Sequence, residues 1–269
     1  MSDIRMNDVS FYYPGNNKVL HGINFKLTRE TTAIVGQNGA GKTTFVKLLK
    51  GLLTPTEGTV SLNNVNIHDK YTIAKLARHI GYVFQNPNDQ IFKNSVLREV
   101  MFGPLNIGQK EMEAKKNAVL ALKKVGLEQF QHYNPYDMSL SERKMIAIAS
   151  ILAMDTDIVI FDEPTMGQDA KGKKRLKKII HDLKQDGKCV ICILHDMDFA
   201  AEVFERTVVL YKGTVLMDDS TREVFSHFDI IKEAHLEKPH VMKMAEQLGI
   251  KKVVLSIDEL MEILQGRTI

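Results

Sequence analysis

Cysteine is scarce: there are two in 269 residues, too few for a disulfide framework. The pair stands as Cys189-Val190-Ile191-Cys192, a C-x-x-C spacing that invites a metal or redox role. Its surroundings are a continuous apolar run, the pattern of a buried strand. Residues three apart on a strand point to opposite faces, so the two thiols would not meet. No second Cys or His pair completes a zinc set, and the expectation is core packing. Long apolar runs are missing too: none approaches the roughly 18 residues of a membrane span. The first residues lack the charged and apolar regions of a signal peptide. The expected location is therefore cytosolic, with any membrane role exercised through partners. Charge of one sign is also lacking, since 36 Lys and Arg against 33 Asp and Glu leave +3, too mild to imply nucleic acid. No internal repeat or low-complexity tract is present. Apolar residues at 44% and charged residues at 26% fit a globular protein of one large domain or two modest ones.

What is present is a phosphate loop. Gly36-Gln37-Asn38-Gly39-Ala40-Gly41-Lys42-Thr43 fits G-x-x-x-x-G-K-[ST] at every fixed position. The apolar Thr32-Ala33-Ile34-Val35 before it reads as a strand, and Thr44-Phe45-Val46-Lys47-Leu48-Leu49 after it as a helix. The glycines let the backbone curl so that successive N–H groups point inward at a phosphate, and the helix adds the positive end of its dipole. Lys42 is expected to reach the β- and γ-phosphates, and the Thr43 hydroxyl to hold Mg²⁺. The plain alternative is a Gly-rich turn before an ordinary helix; strand, loop and helix together favour a nucleoside triphosphate site.

Along the chain, residues 4–11 read as a strand and Tyr12-Tyr13-Pro14-Gly15-Asn16-Asn17 as a turn. A short strand is expected around 23–27, another at 59–62 and a short helix near 72–77. Strand 80–84 ends at Gln85, where Pro87 and its polar neighbours break regular structure. Residues 96–125 read as helical, interrupted at Gly103-Pro104 and Gly108, with Leu105 and Ile107 as candidate contact residues. Then follow a helix over 145–154, the strand 157–161, a helix over 170–185, the cysteine strand and a strand pair turning at Lys212-Gly213. Alternating strands and helices argue a parallel α/β core, with a small antiparallel β region beside it. The run Lys171, Lys173, Lys174, Arg175, Lys177, Lys178 has Asp182 as its nearby acid and reads as a solvated face. From about Ser220 the pattern shifts to mixed short helices, suggesting an appended segment.

A phosphate loop alone does not specify a function. The apolar Ile158-Val159-Ile160-Phe161 delivers Asp162-Glu163 toward it. Asp162 is expected to support Mg²⁺, directly or through water, and Glu163 to polarise an attacking water. Past this point the chain resembles the ATP-binding-cassette ATPases, over residues 1–220. Pro164-Thr165-Met166-Gly167-Gln168-Asp169 is similar to the family's D-loop, with Gln168 where Leu is usual. Leu194-His195-Asp196-Met197-Asp198 resembles its switch segment, which implies contact between His195 and the γ-phosphate. Gln85 matches the Q-loop glutamine, implying reach to Mg²⁺ and water beside a membrane partner. Tyr13, in Phe11-Tyr12-Tyr13-Pro14, matches the aromatic that stacks on adenine. The resemblance implies an α/β P-loop NTPase core (RecA-like) with an antiparallel β subdomain. It also implies an α-helical subdomain over about 86–155 and a C-terminal extension over 221–269. The ATP-binding set is then Tyr13, Gly36, Asn38, Gly39, Ala40, Gly41, Lys42, Thr43 and Thr44. Thr43, Gln85 and Asp162 serve Mg²⁺, and Glu163, His195, Lys42 and Gln85 serve catalysis.

The signature motif departs from the family. L-S-G-G-Q stands there at a fixed distance before the Asp-Glu pair, and that register gives Met138-Ser139-Leu140-Ser141-Glu142. The serine survives and both glycines are gone. The alternative register at Leu140-Ser141 needs a two-residue deletion and recovers no glycine. Ser139 and Glu142 still form a capping box, so the helix should form. Family members act as head-to-tail dimers, each ATP lying between one chain's phosphate loop and the other's signature. A homodimer would contain two damaged sites, so a heterodimer with a partner of intact signature is expected. Phe84-Gln85-Asn86-Pro87-Asn88-Asp89-Gln90-Ile91-Phe92 resembles the Q-loop of the energy-coupling-factor ATPases, which drive uptake of vitamins and of cobalt or nickel ions. The tail from Glu233 to Val241 resembles their dimerising segment. That implies a transmembrane coupling subunit, a substrate-specific membrane subunit and a peripheral place on the cytoplasmic face of the cell membrane. The alternatives are a binding-only regulatory cassette, a non-transport cassette of translation or DNA repair, and a P-loop kinase. A low ATPase rate with every partner would favour the first, and a second cassette or long coiled-coil insertion would mark the second. The D-loop and switch histidine disfavour the third.

Overall fold

The computed structural model describes residues 3–15 and 17–266. In chain order the elements begin with β1 (Ile4–Tyr13), β2 (Asn17–Lys26), β3 (Thr32–Val35), α1 (Lys42–Leu49), β4 (Glu57–Leu62) and β5 (Val65–Asn66). Next come α2 (Ile67–Lys70), α3 (Ile73–Leu76), β6 (Ile80–Val83), α4 (Val96–Asn106), α5 (Glu111–Lys124), α6 (Leu140–Leu152) and β7 (Ile158–Asp162). The chain closes with α7 (Ala170–Gln185), β8 (Cys189–Leu194), α8 (Met197–Val203), β9 (Arg206–Tyr211) and β10 (Thr214–Ser220). The short helices α9 (Thr221–Ser226), α10 (Phe228–Glu233), α11 (His240–Gln247) and α12 (Ile257–Leu264) follow.

Two sheets organise these elements. The larger runs β10-β9-β3-β8-β7-β6, parallel except where β10 meets β9. Every residue of β3, β6, β7 and β8 is buried, as a parallel sheet covered on both faces requires. The smaller sheet, β2-β1-β4-β5, is antiparallel. Parallel pairing brings the carboxyl ends of β3, β6, β7 and β8 to one edge, where α/β proteins place ligand chemistry. The phosphate loop, Gln85, Asp162-Glu163 and His195 leave the sheet at those ends.

The two cysteines lie on opposite faces of β8: Cys189 packs into the core beside α1, and Cys192 into the core beside α6 and α7. Burial pushes both thiols above the usual range, which suits inert core residues.

The structure differs from the sequence expectations at several boundaries. Tyr12 and Tyr13 stay in β1, and β2 begins at Asn17, because the antiparallel pairing of the two strands continues through Tyr13 and Asn17. Asn16, in the expected turn, lies outside the described residues. Helix α4 runs through Gly103-Pro104, at the cost of the ladder bond that proline cannot donate. It stops before Gly108, whose φ is 96°. Helix α6 begins at Leu140, five residues ahead of the expected start, because Ser139 caps it. The basic helix α7 buries Leu176, Ile179, Ile180 and Leu183. Its lysines find acids distant in sequence: Lys173 meets Asp196 at 2.5 Å, Lys177 meets Glu202 and Lys184 meets Glu205.

The C-terminal helices pack on the core through Val224, Phe225, Ile231, Val241, Met242 and Leu260. His240, at the start of α11, donates its N–H to Asp198 at 2.6 Å, tying this segment to the helix that follows His195. Among the described residues no helix is long and apolar enough to cross a membrane.

Candidate functional site

The loop between β3 and α1 has the backbone its sequence calls for. Gly41 caps α1 with φ at 100°, a left-handed conformation, and a Cβ there would stand 2.6 Å from the Leu20 side chain. Glycine is thus required twice over. No side chain caps α1 and no acid lies in its first turn, so its N-terminal N–H groups are not answered by a side chain. Lys42 is buried and folds over the loop, its Nζ donating to the carbonyls of Gly36 at 2.7 Å and Gln37 at 2.9 Å. Burial lowers its pKa, opposed by the charges of Glu163 and Asp162. The Tyr13 hydroxyl lies 3.3 Å from that of Thr44, so the aromatic of the small sheet reaches the helix of the phosphate loop. Tyr13 is 38% exposed and its ring meets Phe11 edge to face at 4.9 Å, leaving surface for a planar partner.

At the end of β7 the two acids differ. Asp162 is buried at 2% exposure. Its Oδ2 accepts from the Tyr82 hydroxyl at 2.6 Å, while its Oδ1 is buried with no hydrogen-bond partner. Burial raises its pKa, against the pull of the Tyr82 bond. Glu163 is half-buried with φ at 45°, strained for a non-glycine residue. Gln85 Nε2 donates to its Oε2 at 2.8 Å, and His195 Nε2 stands 2.9 Å from its Oε1. Residues from β6, β7 and β8 therefore converge on one carboxylate.

The signature residues stand apart from this cluster, at the start of α6. The Ser139 hydroxyl accepts from the Glu142 N–H at 3.3 Å. Glu142 Oε2 in turn accepts from the Ser139 N–H at 2.9 Å and its hydroxyl at 2.7 Å. Those bonds hold the Glu142 carboxyl below its usual range. Leu140 is 47% exposed, and the Ser141 hydroxyl donates to Gln168 Oε1 at 3.0 Å.

Sequence reading missed the residues that support the site. Tyr82 looked like any strand aromatic. Lys144 lies on the buried face of α6 at 2% exposure, and its Nζ donates to the carbonyls of Gln85 at 2.5 Å, Phe84 at 3.1 Å and Asp162 at 3.5 Å. Burial pushes its pKa down to about 8. A lysine within the apolar stripe of a helix was the available signal, since a buried cation is costly without such partners. Gln90 accepts from the Phe84 N–H at 3.0 Å and donates to the Ala147 carbonyl and the Ser150 hydroxyl, both at 2.9 Å. Nothing in its local sequence marks that role.

Comparisons with known proteins point the same way. A family model described as ABC transporter matches residues 20–166. The chain is similar to the energy-coupling factor transporter ATP-binding protein EcfA of Methanocaldococcus jannaschii, 38% identical over 250 residues and covering 92% of this chain and 90% of that one. Among solved structures it is similar to cbiO1 of Clostridium perfringens, part of the ABC transporter complex cbiONQ. The TM-score is 0.76 at 31% identity, over 90% of this chain and 98% of that one. It is also similar to a dimeric ATP-binding cassette bound to ADP and Pi, with TM-score 0.74 at 28% identity, over 81% of this chain and 99% of that one.

Proposed function

The chain belongs to the ABC transporter family of ATP-binding proteins, and on that footing we propose that it is one of two unequal ATPase subunits of an energy-coupling-factor-type importer. It is an ATP-hydrolysing cassette and the ATP-binding subunit of a transporter. The observation that carries hydrolysis at this chain's own phosphate loop is the Glu163 carboxylate met by Gln85 and His195 beside a complete phosphate loop.

The nucleotide's phosphates would replace the Gly36 and Gln37 carbonyls as partners of Lys42. The N–H groups of Asn38, Gly39, Ala40 and Gly41 would line the phosphates, with Thr44 at the first turn of α1. Tyr13 would stack on the adenine. The orphaned buried Oδ1 of Asp162, the Thr43 hydroxyl and the Gln85 amide oxygen form an all-oxygen donor set that suits Mg²⁺. Bound there with the phosphates, the ion would neutralise charge that develops in phosphoryl transfer. A carboxylate has about four acceptor sites; Gln85 donates to one on Glu163 and His195 Nε2 stands beside the other oxygen, leaving room for a water. Glu163 would orient and polarise that water while His195 stands against the γ-phosphate.

The signature end supports inequality. Glycines at 140 and 141 would let a partner's phosphate approach the backbone; Leu140 obstructs that approach, and the Ser141 hydroxyl is turned to Gln168. A second ATPase with an intact signature would complete the site on this chain's phosphate loop. Residues 1–220 form the cassette in this reading, with its helical subdomain at about 86–155, and 221–269 serve contact between the two ATPases. A transmembrane coupling subunit would dock beside Gln85, and a separate membrane subunit would select a vitamin or transition-metal ion, holding the chain on the cytoplasmic face. The names of the EcfA and cbiO1 relatives support this assignment, as does the Q-loop sequence.

Glu163→Gln tests the reading. It should retain ATP while turnover falls on the order of 10²–10⁴-fold; undiminished steady-state hydrolysis would remove Glu163 from the role. The purified chain alone should hydrolyse ATP well below the rate of the assembled complex, and equal rates would contradict the unequal pair.

A further inference from the structure

Two departures from the family pattern touch one another. Ser141 stands in place of the signature's second glycine and Gln168 in place of the D-loop leucine. The Ser141 hydroxyl donates to Gln168 Oε1 at 3.0 Å, and Gln168 Nε2 donates to the Ser141 carbonyl at 3.4 Å. A third residue makes room for the pair: a Cβ on Gly172 would stand 2.3 Å from Gln168 Oε1. Leucine at 168 would make neither bond, and glycine at 141 would bring no hydroxyl. A cavity of about 450 Å³ opens beside the pair, lined by Ser141, Gln168, Gly172 and Arg175 among others. On the cavity side the two hydrogen bonds to Ser141 hold the Gln168 side chain.

What they hold is the turn after Glu163. The Gln168 N–H donates to the Thr165 carbonyl at 3.1 Å, the Met166 N–H to the Glu163 carbonyl at 3.3 Å, and the Glu163 N–H to the Ile193 carbonyl at 3.1 Å. Glu163, with φ at 45°, occupies a conformation that persists where its surroundings over-determine it. Strand β8 fixes one end of the turn, and Gln168 fixes the other to α6.

We propose that Gln168 is a positioning residue: with Ser141 it latches the D-loop to the signature helix of the same chain and thereby sets the place of the Glu163 carboxylate. In a head-to-tail pair of cassettes, as proposed above, the latch would join the two segments that face the partner, so a displacement of the signature by the partner's nucleotide would reach Glu163 through this pair. The proposal rests on the reading of Glu163 as the residue that activates water.

The test measures kcat and nucleotide affinity separately in the complex of this chain with its partner subunits. Gln168→Leu and Ser141→Ala should each lower kcat about 10-fold, the scale of a small misplacement of a catalytic group, with ATP affinity at the phosphate loop unchanged. Ser141→Thr keeps the hydroxyl that donates to Gln168 Oε1 and should retain most of kcat. The Gln168→Leu/Ser141→Ala double variant should be no slower than the slower single variant, as for residues acting as one unit. A Ser141→Thr complex as slow as the Ser141→Ala complex, multiplicative losses in the double variant, or losses that follow ATP affinity would each overturn the latch. Hydrogen exchange on the full chain alone separates this from the reading of Glu163. Both single substitutions should speed exchange of amides over 140–142 and 165–168; unchanged exchange overturns the latch whatever Glu163 does, whereas failure of the Glu163 reading appears as hydrolysis by Glu163→Gln. Should Gln168→Leu fail to fold, Ser141→Ala and Ser141→Thr carry the same comparison.

Discussion

Helices α1 and α6 each begin at a sequence motif, and their first turns are completed in opposite ways. Helix α1 starts from Gly41, with no side-chain cap and no acid in its first turn; its donors and the positive end of its dipole are left for an anion. Helix α6 starts from Ser139 in a full capping box with Glu142 in its first turn. There the orphan donors and the dipole are answered from within the chain. A phosphate therefore gains more at α1 than at α6, and Leu140 covers part of the approach to the second. One chain thus carries a helix start built to receive a ligand and another built for its own stability.

The largest effect should come from the chemistry beside α1, where Glu163→Gln separates ATP retention from turnover. Next in size is Gly41→Ala, which places a Cβ against Leu20 and forces a left-handed backbone on alanine. A strain of about 1–3 kcal/mol should weaken ATP binding roughly 5- to 150-fold in a nucleotide titration; unchanged affinity would mean that α1 needs no open N-terminus. Asp162→Asn should raise the Tm of the nucleotide-free chain while abolishing Mg²⁺-dependent hydrolysis. It removes a buried carboxylate whose Oδ1 lacks a partner and keeps an acceptor for Tyr82; relief of about 1–2 kcal/mol is expected. A lower Tm would show that the carboxylate stabilises the fold. The smallest effect belongs to α6: Ser139→Ala should cost about 1 kcal/mol of stability and leave ATP affinity at the phosphate loop unchanged. A large loss of ATP affinity there would erase the distinction between the two helix starts.

Both helix starts were legible. The phosphate loop, the Asp162-Glu163 pair and the capping box are local patterns, in which neighbouring residues dictate the backbone that does the work. Gln85 and His195 were placed by family resemblance, and the parallel sheet explains why they converge. Tyr82, Gln90 and the partners of Lys144 were missed because most of these bonds join residues 57 to 80 apart, a distance that no local pattern encodes. The acids that pair with α7 escaped notice for the same reason. Residues 4–26 were cut short because a turn signal at Tyr12-Tyr13-Pro14 was read without the strand pairing that overrides part of it.

The proposed unequal pair is tested most directly in a complex of this chain with a second ATPase of intact signature, by replacing Glu163 and the partner's matching glutamate one at a time. Glu163→Gln in this chain should abolish nearly all hydrolysis by the complex, and the matching substitution in the partner should leave most of it. Equal losses from the two substitutions, or survival of hydrolysis in Glu163→Gln, would contradict the assignment of the working site to this chain's phosphate loop.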